Sequence, residues 1–413
     1  MAMPRFEIVE RDEAGKVTTS YLASGGARVD ARVDVINASP NPTGVGVGDA
    51  TATPTTALLL TVLQESTGRL ATILFAHRLG TALEPECKQY RLAADVLNDT
   101  AMVLDCLSPA FPKPVRVGVL SASSVLRSLC GVCAGSAKAS LSAHFARRGN
   151  LGEVNAKDSS QETVISLLGM LAGSIVISHM TSPLATWTAL LLLLSLHLAT
   201  NYAAVRAVSM HNLNRQRANI VFSNLFQHGQ TLSPTAVSQR ERVFERDGVL
   251  RWSDDEIVGY CKIGVSLQQL LVCMGGAQRN KRTGSLQLPD GPDQGPSVSE
   301  LLDTFANEAY ILWAGEEVTL IVLKEGCKPI DQLKAWAHAL LLAKRARGKR
   351  KDALSPSKDC RSGAGLRRSL EHVTAVFGEH VGVLREQGWD LDVAVLETRA
   401  GTRACVDVGN RVV

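Results

Sequence analysis

The chain has 413 residues, 45% apolar, 20% charged and 5% aromatic, with a net charge of +4. That length leaves room for two or three domains, and so small a positive excess decides nothing about nucleic acid. The average hides a gradient: charge is thin from Thr51 to Val208 and dense after Arg215, which predicts an apolar, membrane-embedded half followed by a polar, soluble one.

The first residues, MAMPRFEIVERDEAGKVTTS, carry acids and no apolar core. They are neither a secretory signal nor a clean transit peptide, so internal apolar helices would have to direct insertion. FEIVE and KVTTSYLA predict a hairpin, and the rest of 1–43 is poorly patterned. Gly44-Val45-Gly46-Val47-Gly48-Asp49 is not G-x-G-x-x-G and follows no convincing strand, so it reads as backbone at a helix start rather than a phosphate loop.

A helix is predicted from Thr53 to about Gly80. Glu65 and Arg69 stand one turn apart at its centre, on one face. That face points into a bundle or wet cavity, or holds a structural ion pair, or the helix breaks at Gly68; the sequence leaves these open. Cys87 to Leu107 is a second helix. Arg91, Asp95 and Asn98 or Asp99 form a stripe along it, a solvated face in water and a polar seam between membrane helices. Pro109, Pro112 and Pro114 end it. Arg116 to Arg148 is helical and rich in Gly, Ala and Ser, which suits close packing in a bundle; Arg127 and Lys138 make it a poor lipid-facing span. GNLGEVNAKDSSQET then reads as a loop in which Ser159 or Ser160 caps the next helix, with Glu162 in its first turn.

From Thr163 to Val205 there is no Asp, Glu, Lys or Arg. Roughly forty residues is about twice what a helix needs to cross a bilayer. Thr181-Ser182-Pro183 breaks the run, giving two apolar helices in a hairpin. Arg147 and Arg148 precede it and Arg206, Arg215 and Arg217 follow, so both basic ends lie on one side, as the positive-inside rule prefers. A buried hairpin in a large soluble protein is the alternative.

Beyond Val208 the reading is a basic helix with a Gly/Ser/Pro loop over 209–250, a surface linker over 282–298, and a β-hairpin over Tyr310–Lys324. A helix follows over Ile330–Lys344, then a basic run, KRARGKRK, over 344–351, read as a solvated or lipid-contacting loop with a nuclear-localisation or nucleic-acid role as the alternative. A helix over Leu366–Gln387 and a strand pair turning at Ala400-Gly401 close the chain. Nine scattered cysteines predict free thiols in a reducing compartment. Cys130-Gly131-Val132-Cys133 has the C-x-x-C form but lies in an apolar run, so both read as small helix residues. No metal-ligand spacing, P-loop or catalytic triad is visible.

The fold class is therefore mainly α: a multi-helix membrane-embedded bundle with a C-terminal soluble α+β domain. Its segments are 1–43, a core at 44–214, a linker with helices at 215–298, and 299–413.

The core resembles the Root UVB Sensitive family, whose domain is also called the vitamin B6 photo-protection and homoeostasis domain. The resemblance rests on VGVGDATATP (45–54), ESTGRLATILFA (65–76), KQYRLAADVLNDTAMVLD (88–105), HFARRGNLGEVNAKDSSQET (144–163) and NYAAVRAV (201–208). Residues 21–43 depart from the aromatic entry that members usually show, as a truncated or mis-spliced gene model would. The resemblance implies an integral membrane protein of vitamin B6 homoeostasis with no established reaction, metal or cofactor. The residues that match its motifs are Glu65, Gly68, Arg69, Lys88, Arg91, Asp95, Asn98, Asp99, Lys157, Asp158, Ser160, Gln161 and Glu162, and they are the candidate polar seam.

Three functions compete. A non-catalytic carrier would pass an anionic solute such as a phosphorylated vitamer along Glu65, Arg69, Arg91, Asp95 and Asp99, since arginine suits phosphate. A scaffold would anchor through the helices and recruit a partner through the tail. An enzyme using pyridoxal phosphate would need Lys138 or Lys157 as a Schiff-base lysine, and no aspartate is placed by a recognisable fold to assist it. The expectation is a non-enzyme in an internal membrane, mitochondrial or other, whose partners are lipid, a paralogous member or second copy, and a vitamer.

Overall fold

A computed structural model describes residues 6–11, 17–24, 28–30, 54–146, 149–179, 182–275, 278–279, 286–287, 296–352, 362–398 and 401–407. The Gly44–Asp49 run, Arg147 with Arg148, Thr181, Cys360, most of the 282–298 linker and Ala400 lie outside the described residues. The chain falls into two compact units, residues 41–210 and residues 1–40 with 211–413.

The first unit is helical: α1 (Pro54–Leu83), α2 (Cys87–Leu107), α3 (Lys113–Phe145), α4 (Leu151–Ser178) and α5 (Pro183–Ala207). Three long apolar segments, Pro114–Phe145, Leu151–Ser178 and Pro183–Ala207, could each cross a membrane by length and composition. Helix α3 is the hub; α1, α2 and α4 pack on it, and α5 packs on α2. Small residues make the approach close. Gly68 of α1 is buried, and a Cβ there would stand 2.5 Å from Ser128 Oγ of α3, so α1 runs unbroken through Gly68 because glycine admits its neighbour. Ser123 Oγ of α3 donates to the Ala101 carbonyl of α2 at 3.1 Å. Cys133 is buried beside Leu83 and Ala94, with Cys130 half-buried against them. Arg116 donates to the carbonyls of Ser108 (3.1 Å) and Pro109 (3.0 Å), satisfying the end of α2.

Residues 149–163 are not the expected loop. Gly149, at φ +79°, takes the turn, and α4 starts at Leu151, so Ser159 and Ser160 lie inside the helix and cap nothing. The segment from Glu153 holds no glycine or proline until Gly169, and Glu153 pairs with Lys157 one turn on at 2.6 Å. The break before α5 is as expected: Ser182 Oγ accepts from Ala185 N at 3.2 Å, with Pro183 in the first turn. The two apolar helices lean on different partners, α4 on α3 and α5 on α2.

The second unit is built on one mixed sheet. Its strands are β1 (Phe6–Arg11), β2 (Val17–Ser24), β3 (Arg28–Asp30), β4 (Val249–Arg251), β5 (Ile257–Ile263), β6 (Gln278–Arg279), β7 (Leu286–Gln287), β8 (Tyr310–Ala314), β9 (Val318–Lys324) and β10 (Arg403–Asp407). The order is β4-β5-β9-β10-β1-β2-β3-β7-β6, with β8 also on β9. Pairs β5–β9 and β9–β10 are parallel, the rest antiparallel. The expected β1–β2 and β8–β9 hairpins form. The first and last strands of the chain pair, Ile8 opposite Val406.

Helices α6 (Arg215–His228), α7 (Pro234–Arg240), α8 (Leu267–Gly275), α9 (Val298–Thr304), α10 (Pro329–Asp352) and α11 (Gly363–Glu386) complete the unit. Strand β9 is nearly continuously apolar and buried, as a strand covered on both faces should be. Trp336, Ala337 and Leu340 of α10 are fully buried, and Trp336 Nε1 donates to Asn219 Oδ1 of α6 at 2.8 Å.

Two expectations fail here. Lys344–Lys351 is helix, not loop, because α10 continues to Asp352. Its basic side chains find partners along the way: Lys344 meets Glu256 at 3.1 Å and lies 5.2 Å from the Trp252 ring centre, and Arg347 meets Glu256 at 3.0 Å. The closing strand pair is a single strand, β10. Residues 389–398 stay irregular because Trp389 is tied to the Leu232 carbonyl (2.7 Å) and the Asp390 amide to His211 (2.8 Å).

His338 sits fully buried between Tyr310 OH (3.2 Å from Nδ1) and Ser369 Oγ (2.8 Å from Nε2). Burial, with Lys334 and Arg345 nearby, pushes its pKa down from 6.5 to about 3. The unfolded chain therefore takes up this proton before the folded one does, and stability falls as pH drops from 6.5 towards 3. In denaturant titrations followed by tryptophan fluorescence, His338→Phe should flatten that dependence by up to about 1.4 kcal/mol per pH unit. Equal slopes for both proteins would refute the assignment.

Candidate functional site

The polar residues of the helical unit fall into three groups rather than one seam. On α1, Glu65 and Arg69 pair at 3.6 Å, their side chains 62% and 82% exposed. Among the described residues they pair only with each other. This is the structural ion pair of the sequence alternatives, and nothing brings α2's stripe to it.

The second group links α2 to α5. Asp99 is buried and lies 3.0 Å from His197 Nδ1. Asp95 stands one turn before it, half-buried, with Oδ2 sealed from solvent and lacking a hydrogen-bond partner among the described residues. Arg91 is half-buried a further turn back, and Lys88 is buried and engaged. Asn98 turns its amide to Met102 Sδ, 3.7 Å away on the same helix. The helical repeat puts Arg91, Asp95 and Asp99 on one face. A carboxylate against an imidazole can share or pass a proton, and such a pair inside apolar helices is costly unless function or packing retains it.

The third group links α3 to α4. Lys138 bridges Asp158 (2.8 Å) and Glu162 (2.7 Å). Lys138 lies eleven residues before Gly149, and Asp158 and Glu162 lie nine and thirteen after it, so equal rises per residue bring them to similar heights along the two helices. Lys157 pairs with Glu153 along the outside of α4, and Gln161 and Ser160 are exposed there. With Lys138 held by two carboxylates and Lys157 by a third, neither lysine is poised as a nucleophile. Asp105 of α2 also pairs with Arg127 of α3. Among the described residues no three His, Cys, Asp or Glu side chains converge as a metal site.

His197 went unnoticed in the sequence because it lies in the Leu-rich run 189–198. Its signal was being, with His179, a rare ionisable residue in forty apolar ones. Around these groups the surface is apolar. Helix α4 buries no residue, and Ile165, Met170 and Ile177 are about two-thirds or more exposed. Leu184 and Leu192 of α5 are 78% and 68% exposed.

Removing Lys138 leaves Asp158 and Glu162 close together without their cation. In lipid nanodiscs Lys138→Ala should lower the melting temperature, and adding Asp158→Asn and Glu162→Gln should recover more than half of the loss. If the triple variant melts no higher than the single one, the three-way bridge does not hold α3 to α4.

The family model of the vitamin B6 photo-protection and homoeostasis domain matches residues 18–229. Protein root UVB sensitive 3 of Arabidopsis thaliana is 33% identical over 285 residues, 68% of this chain and 60% of that protein. RUS family member 1 of Dictyostelium discoideum is 39% identical over 186 residues, 44% of this chain and 35% of that protein. Protein root UVB sensitive 2, chloroplastic, of Arabidopsis thaliana is 23% identical over 270 residues, 64% and 55% of the two chains. The chain thus spans 60% or less of the length of these relatives. No solved structure matches. The matched stretch covers all five helices of the apolar unit and the polar groups within them, and the chain belongs to the Root UVB Sensitive family.

Proposed function

We propose that the chain is a multi-pass membrane protein that serves vitamin B6 homoeostasis without catalysing a reaction, as a carrier of a small anionic solute. The observation that carries the membrane reading is α4, 28 residues with none buried. In water each exposed Leu or Ile forgoes about 1.5–3 kcal/mol of burial, whereas a bilayer takes the same surface without loss. The carrier reading draws on the Asp95–Asp99–His197 group: intramembrane ionisable residues mark solute and proton paths, and Arg91 on the same face supplies a phosphate-binding cation. A phosphorylated vitamer fits the family's domain name. The location is an internal membrane, mitochondrial or other, with lipid and a second copy or paralogous member as partners, and no nucleic acid.

A scaffold is the second reading. The sheet-based unit has its own core, from Leu213 to Ala404, which supports a separate partner-recruiting role for it.

Carbonate-washed membranes should retain the chain in the pellet; release into the supernatant would end the membrane reading. In reconstituted liposomes given labelled vitamers from outside, Asp99→Asn and Arg91→Ala should each cut uptake at least about tenfold, the loss of one charge-assisted contact. Uptake equal to wild type in both would exclude the carrier. A chain lacking residues 220–413 that still inserts but no longer complements a null strain, with uptake unchanged, would favour the scaffold.

A further inference from the structure

The sheet-based unit holds a cavity of about 740 Å³, within the roughly 300–1,000 Å³ of small-molecule sites. It lies over the face of β5 turned away from α10. Side chains alternate along a strand. Gly259 abuts α10, where an added Cβ would stand 3.3 Å from Ala343 Cβ, and Cys261 is buried on that same side. Tyr260 and Lys262 alternate to the other side and line the cavity. Arg246 lies over the Tyr260 ring, 5.3 Å from its centre, and Arg215 enters from the start of α6, paired with Asp247.

The charges do not cancel. Arg215 and Asp247 neutralise each other. Lys262 and Arg246 remain, and among the described residues neither side chain makes an ion pair; the one further carboxylate in the lining, Glu317, is exposed at the start of β9. Two cations lining one solvent-open cleft, one of them over an aromatic ring, suit one compact dianion. Guanidinium supplies paired donors and ammonium a point charge, the combination that recognises phosphate. The rim is shaped by glycine. Gly264, at φ +73°, ends β5, and a Cβ there would collide with the Glu397 carboxylate, which is held by Arg403 (Nη1–Oε1 2.9 Å). Ser266 then caps α8, its Oγ accepting from Gln269 N at 3.2 Å, so the positive end of α8 adds to the field.

We infer that this cavity binds a small phosphate monoester, with Lys262 and Arg246 as its anion-binding side chains. This site belongs to the sheet-based unit and does not depend on the membrane or carrier reading. The phosphate can come from a free metabolite or from a lipid headgroup.

The test uses the full chain in detergent, titrated with inorganic phosphate and followed by phosphorus NMR linewidth, with chloride at matched ionic strength as the blank. Saturable binding is expected for wild type. Lys262→Ala with Arg246→Ala should weaken it by more than about tenfold, and Lys262→Arg should retain it. Both positions are exposed, so the fold survives; an unchanged melting temperature confirms this. Parallel titrations with short-chain phosphatidic acid and phosphatidylcholine separate the sources. Binding of inorganic phosphate as well as phosphatidic acid supports a free ligand, and binding of phosphatidic acid alone, lost in the double variant, supports a headgroup. Equal binding by wild type and the double variant, or saturable binding of neither probe, would overturn the assignment.

Discussion

Apolar surface without a protein partner is the constraint on which the helical unit turns. Helix α4 buries nothing, and α5 buries only Val205. The unit's own core is slight, centred on Leu83, Ala94 and Cys133. Packing of that kind does not rest on the hydrophobic effect between helices. It rests on close approach, as where Gly68 admits Ser128, and on hydrogen bonds such as Ser123 to Ala101, which are the means by which helices associate in lipid. The same constraint explains why the charges are paired. Lys138 with Asp158 and Glu162, Arg127 with Asp105, and His197 with Asp99 each join two helices.

The sheet-based unit obeys the opposite rule. Strand β9 pairs in parallel with β5 and then β10, antiparallel with β8, and packs against α10. Several large polar side chains inside it meet partners on other elements. Trp336 meets Asn219, and His338 bridges Tyr310 and Ser369. Arg217, 2% exposed, is held by Asn214 (3.1 Å) and Glu241 (3.6 Å). Burial also raises Cys327 to about 12, which keeps it an inert thiol at neutral pH.

Local pattern made some of this legible and sequence-distant pairing hid the rest. The bounds of α2 were readable to the residue, because apolar spacing ran from Cys87 to Leu107 and prolines followed. The β8–β9 hairpin was legible from alternation around Gly-Glu-Glu. Residues 149–163 misled because Gly, Asn and Ser suggest loop, whereas Glu153–Lys157 pairing and the absence of proline favour helix. The basic tail of α10 misled because its partner, Glu256, lies some ninety residues earlier. The final strand misled for the same reason: β10 pairs with β1 and β9, not with the residues just before it. Of the candidate site, the α2 stripe was legible from its spacing, but not that α5 supplies His197, nor that Glu65 and Arg69 stand apart.

The two histidines that bridge elements show how one side chain serves two environments. His338 hydrogen-bonds to two hydroxyl groups, packs by the Phe305 ring and is enclosed, so its proton count is fixed across the physiological range and its contribution is to packing. His197 touches a carboxylate, is 42% exposed itself, and lies a turn of α2 from a second carboxylate with an unbonded oxygen. That difference in surroundings, rather than the identity of the residue, separates a solvent-reaching pair that joins α2 to α5 from His338, a structural post.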